Sequence, residues 1–164
     1  MNNSYAELLV KKKNSGLGLF LKILLIILAA VFILVGMGNI IILIIGIVLG
    51  VAAYFVHLNT DIEYEYIYLD KELTVDKIMA KTRRKKIAAY DIERMEMIAP
   101  VKSWHLDNFK NRTFVMKNFS SGRKETANSC FAMIYDGKQK LILEATPDFV
   151  KVIQTVAPRK VFLD

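Results

Sequence analysis

The sequence is poor in the residues that build most metal and redox sites. Among its 164 residues are one cysteine and two histidines. The lone Cys130 excludes an internal disulfide, and its apolar neighbours predict a small buried thiol rather than a nucleophile. Cysteine and histidine do not cluster at metal-ligand spacing, so we expect no metal site.

Motifs for phosphate, dinucleotide or acyl chemistry are absent as well. The sequence contains no phosphate-binding glycine loop, no Gly-x-Gly-x-x-Gly fingerprint and no Gly-x-Ser-x-Gly turn. Its carboxylates are scattered, and Glu63 and Glu65 alternate along a predicted strand as solvated residues do. His105, near Asp107 in a predicted loop, is expected at the surface. The sequence therefore predicts a protein that is not an enzyme and has no cofactor.

Charge is almost missing from residues 17–58, where Lys22 is the one charged side chain among 42 residues. An uncharged break at residues 36–39 divides this stretch. Each half, residues 17–35 and 40–58, is about 28 Å long as a helix, close to the ~30 Å hydrocarbon core of a bilayer. Because a second apolar run follows at once and no small-x-small cleavage site separates them, we predict an uncleaved transmembrane helical hairpin.

The lysines around the first span predict its orientation. Residues 11–13 and Lys22 are basic, whereas the break at residues 36–39 is uncharged. Since the side richer in lysine and arginine stays in the cytoplasm, we expect a cytoplasmic basic tail at residues 1–16. Two spans return the chain to the same side. The sequence therefore predicts a multi-pass protein of the cell membrane with both termini in the cytoplasm.

The spans look like an anchor, because neither buries an acidic residue or a histidine at mid-depth, where ion pathways usually have one. Gly46 and Gly50 form a Gly-x-x-x-Gly pair, a pattern that lets two helices approach closely. Two interpretations stay open for this helix-packing pair. It packs against Ala29 and Ala30 of the first span, or it docks on another helix, including that of a second copy in a homo-oligomer.

The remaining residues, 59–164, are enough for one folded domain. They hold 19 basic and 15 acidic residues, while residues 1–58 hold four lysines and one glutamate, within a total net charge of +7. This modest excess suits a position next to an anionic membrane leaflet. It is too small, without an accompanying aromatic and basic motif, to indicate nucleic acid binding.

Alternating apolar and polar residues predict a small β domain after residue 59. Thr146 and Pro147 are typical of a helix start and introduce a predicted helix over residues 147–157. Asp136-Gly137 between two apolar runs is a strong hairpin signal. The predicted strands are residues 63–69, 73–79, 85–90, 92–98, 112–119, 129–135 and 140–145. The period of residues 92–98 is ambiguous between a strand and a short helix. About seven short antiparallel strands followed by a helix predict a small barrel or an orthogonal sandwich, with the helix covering one open end.

Three segments resemble the pleckstrin-homology-like (PH-like) domains of bacterial membrane proteins. They are YIYLDKELTV at residues 66–75, KKIAAYDIE at residues 85–93, and LILEATPD at residues 141–148 followed by APRKV at residues 157–161. The complete layout is similar to an uncharacterised family from Gram-positive bacteria with two N-terminal transmembrane helices and a bacterial PH-like domain. The resemblance implies seven antiparallel strands and a C-terminal helix, and it implies no catalytic residues.

Five of the six residues at positions 81–86 are basic: Lys81, Arg83, Arg84, Lys85 and Lys86. One interpretation is a solvated turn, or an edge strand that these charges protect from pairing. The other is a contact with anionic lipid headgroups or with an acidic protein partner. Trp104, in a predicted loop, is either an exposed anchor for a partner or a core residue.

These features predict a membrane-anchored, non-enzymatic binding or scaffold module. Its cytoplasmic PH-like domain presents a surface to a protein, in the membrane or the cytoplasm, or to anionic lipid. An alternative is a small accessory subunit of a membrane transport or envelope complex, which docks through its transmembrane hairpin.

Overall fold

The computed structural model of the protein describes residues 5–163, which divide into two compact units. One unit contains Lys13–Ile62 and the short segment Met79–Arg83. The other contains the remaining strands and the C-terminal helix.

The first unit is built on two long helices, α1 at Gly16–Val35 and α2 at Ile40–Thr60. Each starts at a polar cap, because the side chains of Ser15 and Asn39 accept hydrogen bonds from backbone N–H groups of the first turn. Both helices are long and apolar enough to cross a membrane. The prediction of two apolar helices separated at residues 36–39 is confirmed.

A short 3-10 turn, Gly36–Gly38, reverses the chain between the helices. A Cβ atom at Gly36 would lie 2.5 Å from the backbone nitrogen of Leu43, so this tight reversal requires glycine. Most side chains of the two helices are exposed, and the few buried residues are mostly small, among them Ala29 and Ala53. This distribution is the one expected of helices whose outer faces contact lipid.

The second unit begins before the helices, with a strand that the sequence did not predict. Strand β1, Ala6–Lys11, pairs antiparallel with β2, Ile62–Leu69, so that Lys11 lies opposite Glu63. The assignment of residues 1–16 to a basic tail missed this strand, and residues 1–4 of that tail lie outside the described residues. Leu9 is apolar but exposed, so apolar and polar residues do not alternate along β1 and the sequence lacks the strand pattern.

Two further strands, β3 at Glu72–Met79 and β4 at Arg83–Asp91, complete a four-stranded sheet in the order β1-β2-β3-β4. Asp70 and Lys71 both have positive φ and form the two-residue turn between β2 and β3. One face of this sheet supplies the core of the domain. Its buried side chains include Tyr66, Tyr68, Leu73 and Val75.

The second sheet has the order β5-β7-β8-β6. Its strands are β5 at Met95–Pro100, β6 at Val115–Asn118, β7 at Cys130–Tyr135 and β8 at Gln139–Glu144. The predicted hairpin at Asp136-Gly137 is present, with positive φ at both residues. Strand β6 pairs in parallel with β8, so the expectation of antiparallel strands throughout was wrong for this one.

The C-terminal helix α3, Pro147–Val156, packs its apolar face on the sheets, with Phe149, Val150 and Ile153 buried. Thr146 caps it, as its hydroxyl accepts a hydrogen bond from the N–H of Phe149 at 3.3 Å. The prediction of a PH-like β domain with a C-terminal helix is confirmed. Within residues 5–163 the domain has eight strands in two sheets and no closed barrel.

Candidate lipid- and partner-binding site

The basic segment at residues 81–86 forms the turn between β3 and β4 together with the start of β4, an edge strand. Ala80 and Lys81 both have positive φ and make the reversal. The N–H of Ala80 donates a hydrogen bond of 2.7 Å to the carbonyl oxygen of Asp61, the residue that caps the end of α2. The turn is therefore fastened to the end of a candidate membrane span, and Lys81 lies beside it.

Arg84 does not point freely into solvent. Its guanidinium contacts the carboxylate of Glu65 on β2, and its Nε donates to Oδ2 of Asp76 on β3 at 2.7 Å. Glu65 and Asp76 are both buried, with exposed fractions of 7% and 8%. Buried carboxylates are costly unless they are paired, so Arg84 has a structural role in joining three strands.

The prediction that Glu63 and Glu65 are solvated was therefore wrong. Each residue is 7% exposed. Glu65 can be buried because the guanidinium of Arg84 contacts its carboxylate and supplies a counter-charge. Arg84 lies on β4, two strands away from β2 in the sheet.

Lys86 is paired as well, since its ammonium lies 3.0 Å from the carboxylate of Glu72 on β3. The hydrogen bond from Lys86 is the main cause that lowers the pKa of Glu72, and a second one from Thr74 adds to it. This pair is exposed and contributes little to stability.

Three cations of the segment remain available for a ligand. Lys81, Arg83 and Lys85 are exposed, and no ion pair joins any of them to another residue in the range 5–163. The sequence identified the segment but did not distinguish these three residues from the two paired ones. The distinguishing signal was the set of acidic residues on the neighbouring strands, Glu65, Glu72 and Asp76.

Trp104 lies apart from the basic segment, on a 3-10 helix, Trp104–Phe109, that follows β5 of the second sheet. It is 70% exposed, so it is not a core residue. Its ring stacks on His105 with centroids 3.8 Å apart, and His105 stacks in turn on Phe162 at 3.8 Å. The stack holds Trp104 at the surface in a fixed position, as a partner-binding anchor requires.

The two glycines of α2 have different surroundings. A Cβ atom at Gly46 would lie 2.9 Å from the backbone nitrogen of Ile33 on α1, so Gly46 packs inside the hairpin. Nothing lies within 4 Å of a Cβ atom built at Gly50. Gly46 therefore lies against α1 at Ile33, whereas Gly50 has open space beside it.

A cavity of about 440 Å³ lies at the other end of β2, beside the turn that holds Lys71. It is lined by Ile92, Glu93 and residues 156–160 as well. The ammonium of Lys71 lies 2.8 Å from Glu93, and this hydrogen bond raises the pKa of Lys71. Lys71, Arg159 and Lys160 give its lining a positive excess over the single Glu93. Two of these cations are engaged with Glu93, Lys71 with its carboxylate and Lys160 with its carbonyl oxygen.

Cysteine, histidine and acidic side chains are the groups that metal sites most often use. No group of three or more histidine, cysteine or acidic side chains within residues 5–163 is arranged to hold a metal ion. Cys130 is 8% exposed, which confirms the predicted buried thiol, and burial raises its pKa.

Comparison with known families gives a match over almost the whole chain. The sequence model of the family described as "Bacterial PH-like domain (DUF6106)" matches residues 2–163. No curated protein and no solved structure is significantly similar to the chain. The match covers β1, both long helices and the β domain, so the helices are part of the family's pattern and not an addition to it.

Proposed function

Because the chain belongs to the bacterial PH-like domain family, we propose that it is a non-enzymatic binding or scaffold module anchored in the cell membrane. The observation that carries this proposal is the pairing of β1 with β2 on either side of the helical hairpin. The hairpin is inserted in the chain between these two paired strands, so two chain segments connect the anchor to the binding module. PH-like domains are in general binding modules, which supports the absence of catalysis.

The proposal places both ends of the hairpin on one side of the membrane. Strands β1 and β2 must be adjacent to pair, so helices that leave from Lys11 and return at Glu63 start and end at the same surface. The lysines at residues 11–13 favour the cytoplasmic side for this surface. Both termini and the whole PH-like domain are then cytoplasmic.

The proposed lipid contact is the basic turn, which we define as Lys81, Arg83 and Lys85. The turn is fastened to the capping residue of α2, where a membrane span ends. Each lysine or arginine near an anionic leaflet contributes about 1 kcal/mol. Since the hairpin already holds the domain at the bilayer, this contact sets how the domain is oriented and which surfaces, among them Trp104, remain open to a protein partner.

The test uses the complete chain in nanodiscs, with a fluorophore attached at Thr82→Cys, an exposed position in the turn. Cys130 is buried and labels slowly under native conditions. Headgroup-linked nitroxide lipids quench the fluorophore when it lies at the lipid surface. We expect stronger quenching with phosphatidylglycerol than with phosphatidylcholine alone, and loss of that difference after Lys81, Arg83 and Lys85 are changed to glutamine.

A matched control removes the same number of charges elsewhere, at Lys138, Lys151 and Arg159, and is expected to keep the phosphatidylglycerol effect. Equal quenching in both lipid compositions would reject the lipid contact and leave a protein partner as the target of the module. The result would not affect the anchoring role, which rests on the hairpin.

A further inference from the structure

One end of the PH-like domain is tethered directly to the helices. Only Asp61 separates the end of α2 at Thr60 from the start of β2, and β1 ends at Lys11 shortly before α1 begins. A residue of extended chain spans about 3.3 Å, so this end of β2 lies close to the end of α2. Two chain segments therefore connect this end of the domain to the helices.

A chain of ring contacts places one further loop at this end. The ammonium of Lys12 lies 5.9 Å from the ring centroid of Tyr64, near the start of β2. Tyr64 packs edge-on against Phe119, with centroids 5.7 Å apart. The buried hydroxyl of Tyr66 donates a hydrogen bond of 2.7 Å to the carbonyl oxygen of Phe119. The loop that starts at Phe119 is therefore fixed beside the tethered end of the domain.

This loop, residues 119–129, carries Arg123 and Lys124, both exposed and neither joined by an ion pair to another residue between positions 5 and 163. Glu125 offsets one of the two charges. Lys102 adds a cation from a neighbouring segment, because its ammonium donates a 2.9 Å hydrogen bond to the side chain of Asn128.

A hydrogen bond to β8 and a glycine turn fix the shape of this loop. The N–H of Ser121 donates to the carboxylate of Glu144 at 2.8 Å, so this acidic group is turned inward and used in the fold. Gly122 follows with φ +73°, a conformation that lets the chain turn outward just before the two basic residues. A shaped loop with exposed cations loses little conformational freedom when it meets a charged surface.

We propose that the loop at residues 119–129 is a second contact with anionic lipid headgroups, made through Arg123 and Lys124. This inference rests on the proposed function, since it takes the membrane to lie at the tethered end of the domain. The basic turn belongs to the first sheet and this loop connects strands of the second, so the second contact adds to the orientation that the basic turn sets. Two separate contacts fix the orientation of the domain and so determine which face the protein partner meets.

Hydrogen–deuterium exchange of the complete chain in nanodiscs tests both contacts at once. Peptides covering residues 79–86 report the basic turn, and peptides covering residues 119–129 report the loop. We expect exchange in both segments to slow by about threefold when phosphatidylglycerol is added to phosphatidylcholine. The variant with Arg123→Gln and Lys124→Gln is expected to lose the slowing at residues 119–129 alone. The charge-matched control, Lys138→Gln with Arg159→Gln, is expected to keep it.

The possible failures can be told apart. Slowing confined to residues 79–86 would overturn the second contact and leave the proposed function intact. No slowing in either segment would overturn both. Slowing at residues 119–129 that persists in the variant without Arg123 and Lys124 would also overturn the inference, because the effect would then not come from these charges.

Discussion

Lys11 and Glu63 lie opposite one another in the β1–β2 ladder, although both long helices separate them in the sequence. A strand before the hairpin and a strand after it are thus neighbours in one sheet. The domain cannot form this sheet without both segments, and a fragment that begins after α2 lacks an edge strand. Binding experiments therefore need the complete chain.

The first prediction concerns the contribution of β1 to the domain. Val10 is 6% exposed, whereas its neighbour Leu9 is 53% exposed on the other face of the strand. Burying a polar amide in the place of Val10 costs about 2–3 kcal/mol, because apolar contacts are lost and the amide is desolvated. We expect Val10→Gln to lower the free energy of unfolding of the domain by this amount, measured by denaturant titration with near-ultraviolet circular dichroism. Leu9→Gln, the matched control, is expected to change it little.

The second prediction separates the structural arginine from a ligand-binding one. Arg84→Gln leaves the buried carboxylates of Glu65 and Asp76 without a counter-charge. The expected loss of stability is about 2 kcal/mol, discounted because Arg84 itself is half exposed. The adjacent Arg83→Gln is expected to leave the same denaturation curve unchanged and to weaken the phosphatidylglycerol effect. The reverse pattern would mean that the roles of Arg83 and Arg84 have been exchanged.

The third prediction concerns the two glycines of α2. Gly46→Ile forces a side chain against the backbone of α1 at Ile33, so we expect the hairpin to open and the chain to become sensitive to protease within the helices. Gly50→Ile has open space and is expected to leave the protease pattern unchanged. If Gly50→Ile also dissociates a co-assembled membrane protein, the alternative of an accessory subunit that docks through its hairpin gains support.

The fourth prediction follows from the buried thiol. Burial raises the pKa of Cys130, so the reactive thiolate is scarce in the folded protein near neutral pH. We expect iodoacetamide to react with Cys130 at least about tenfold more slowly in the native chain than in the unfolded chain at pH 8. Mass spectrometry of the alkylated peptide gives both rates. Equal rates would show that the start of β7 is open to solvent.

Local signals in the sequence were sufficient for the hairpin and for the turns. Charge disappears over residues 17–58 and the break at residues 36–39 is uncharged, so the helix ends were predicted within about two residues. Asp136-Gly137 supplies the two positive φ angles that a two-residue turn requires. In both cases, the residues that determine the structure are adjacent in the chain.

The missed features all depend on residues that are distant in the chain. Strand β1 finds its partner only across the hairpin, and the outward-facing Leu9 conceals its period. Glu65 is buried because Arg84 reaches it across the sheet. For the same reason the sequence located the basic segment without showing which of its cations are already paired. Pairing between strands decides this, and a single sequence does not encode it locally.

The most direct test of the account is a cross-link within the β1–β2 ladder of the complete chain in membranes. Glu7 lies opposite Ile67; Glu7 is exposed and Ile67 is half-buried, between the buried residues Tyr66 and Tyr68. With Glu7→Cys and Ile67→Cys, a short bifunctional thiol reagent is expected to join the two strands across the inserted hairpin. The register-shifted pair Lys11→Cys and Ile67→Cys, about 13 Å apart along the strands, is expected to react poorly. If the matched pair fails to cross-link, or if both pairs react equally, the helices are not an insertion within the domain.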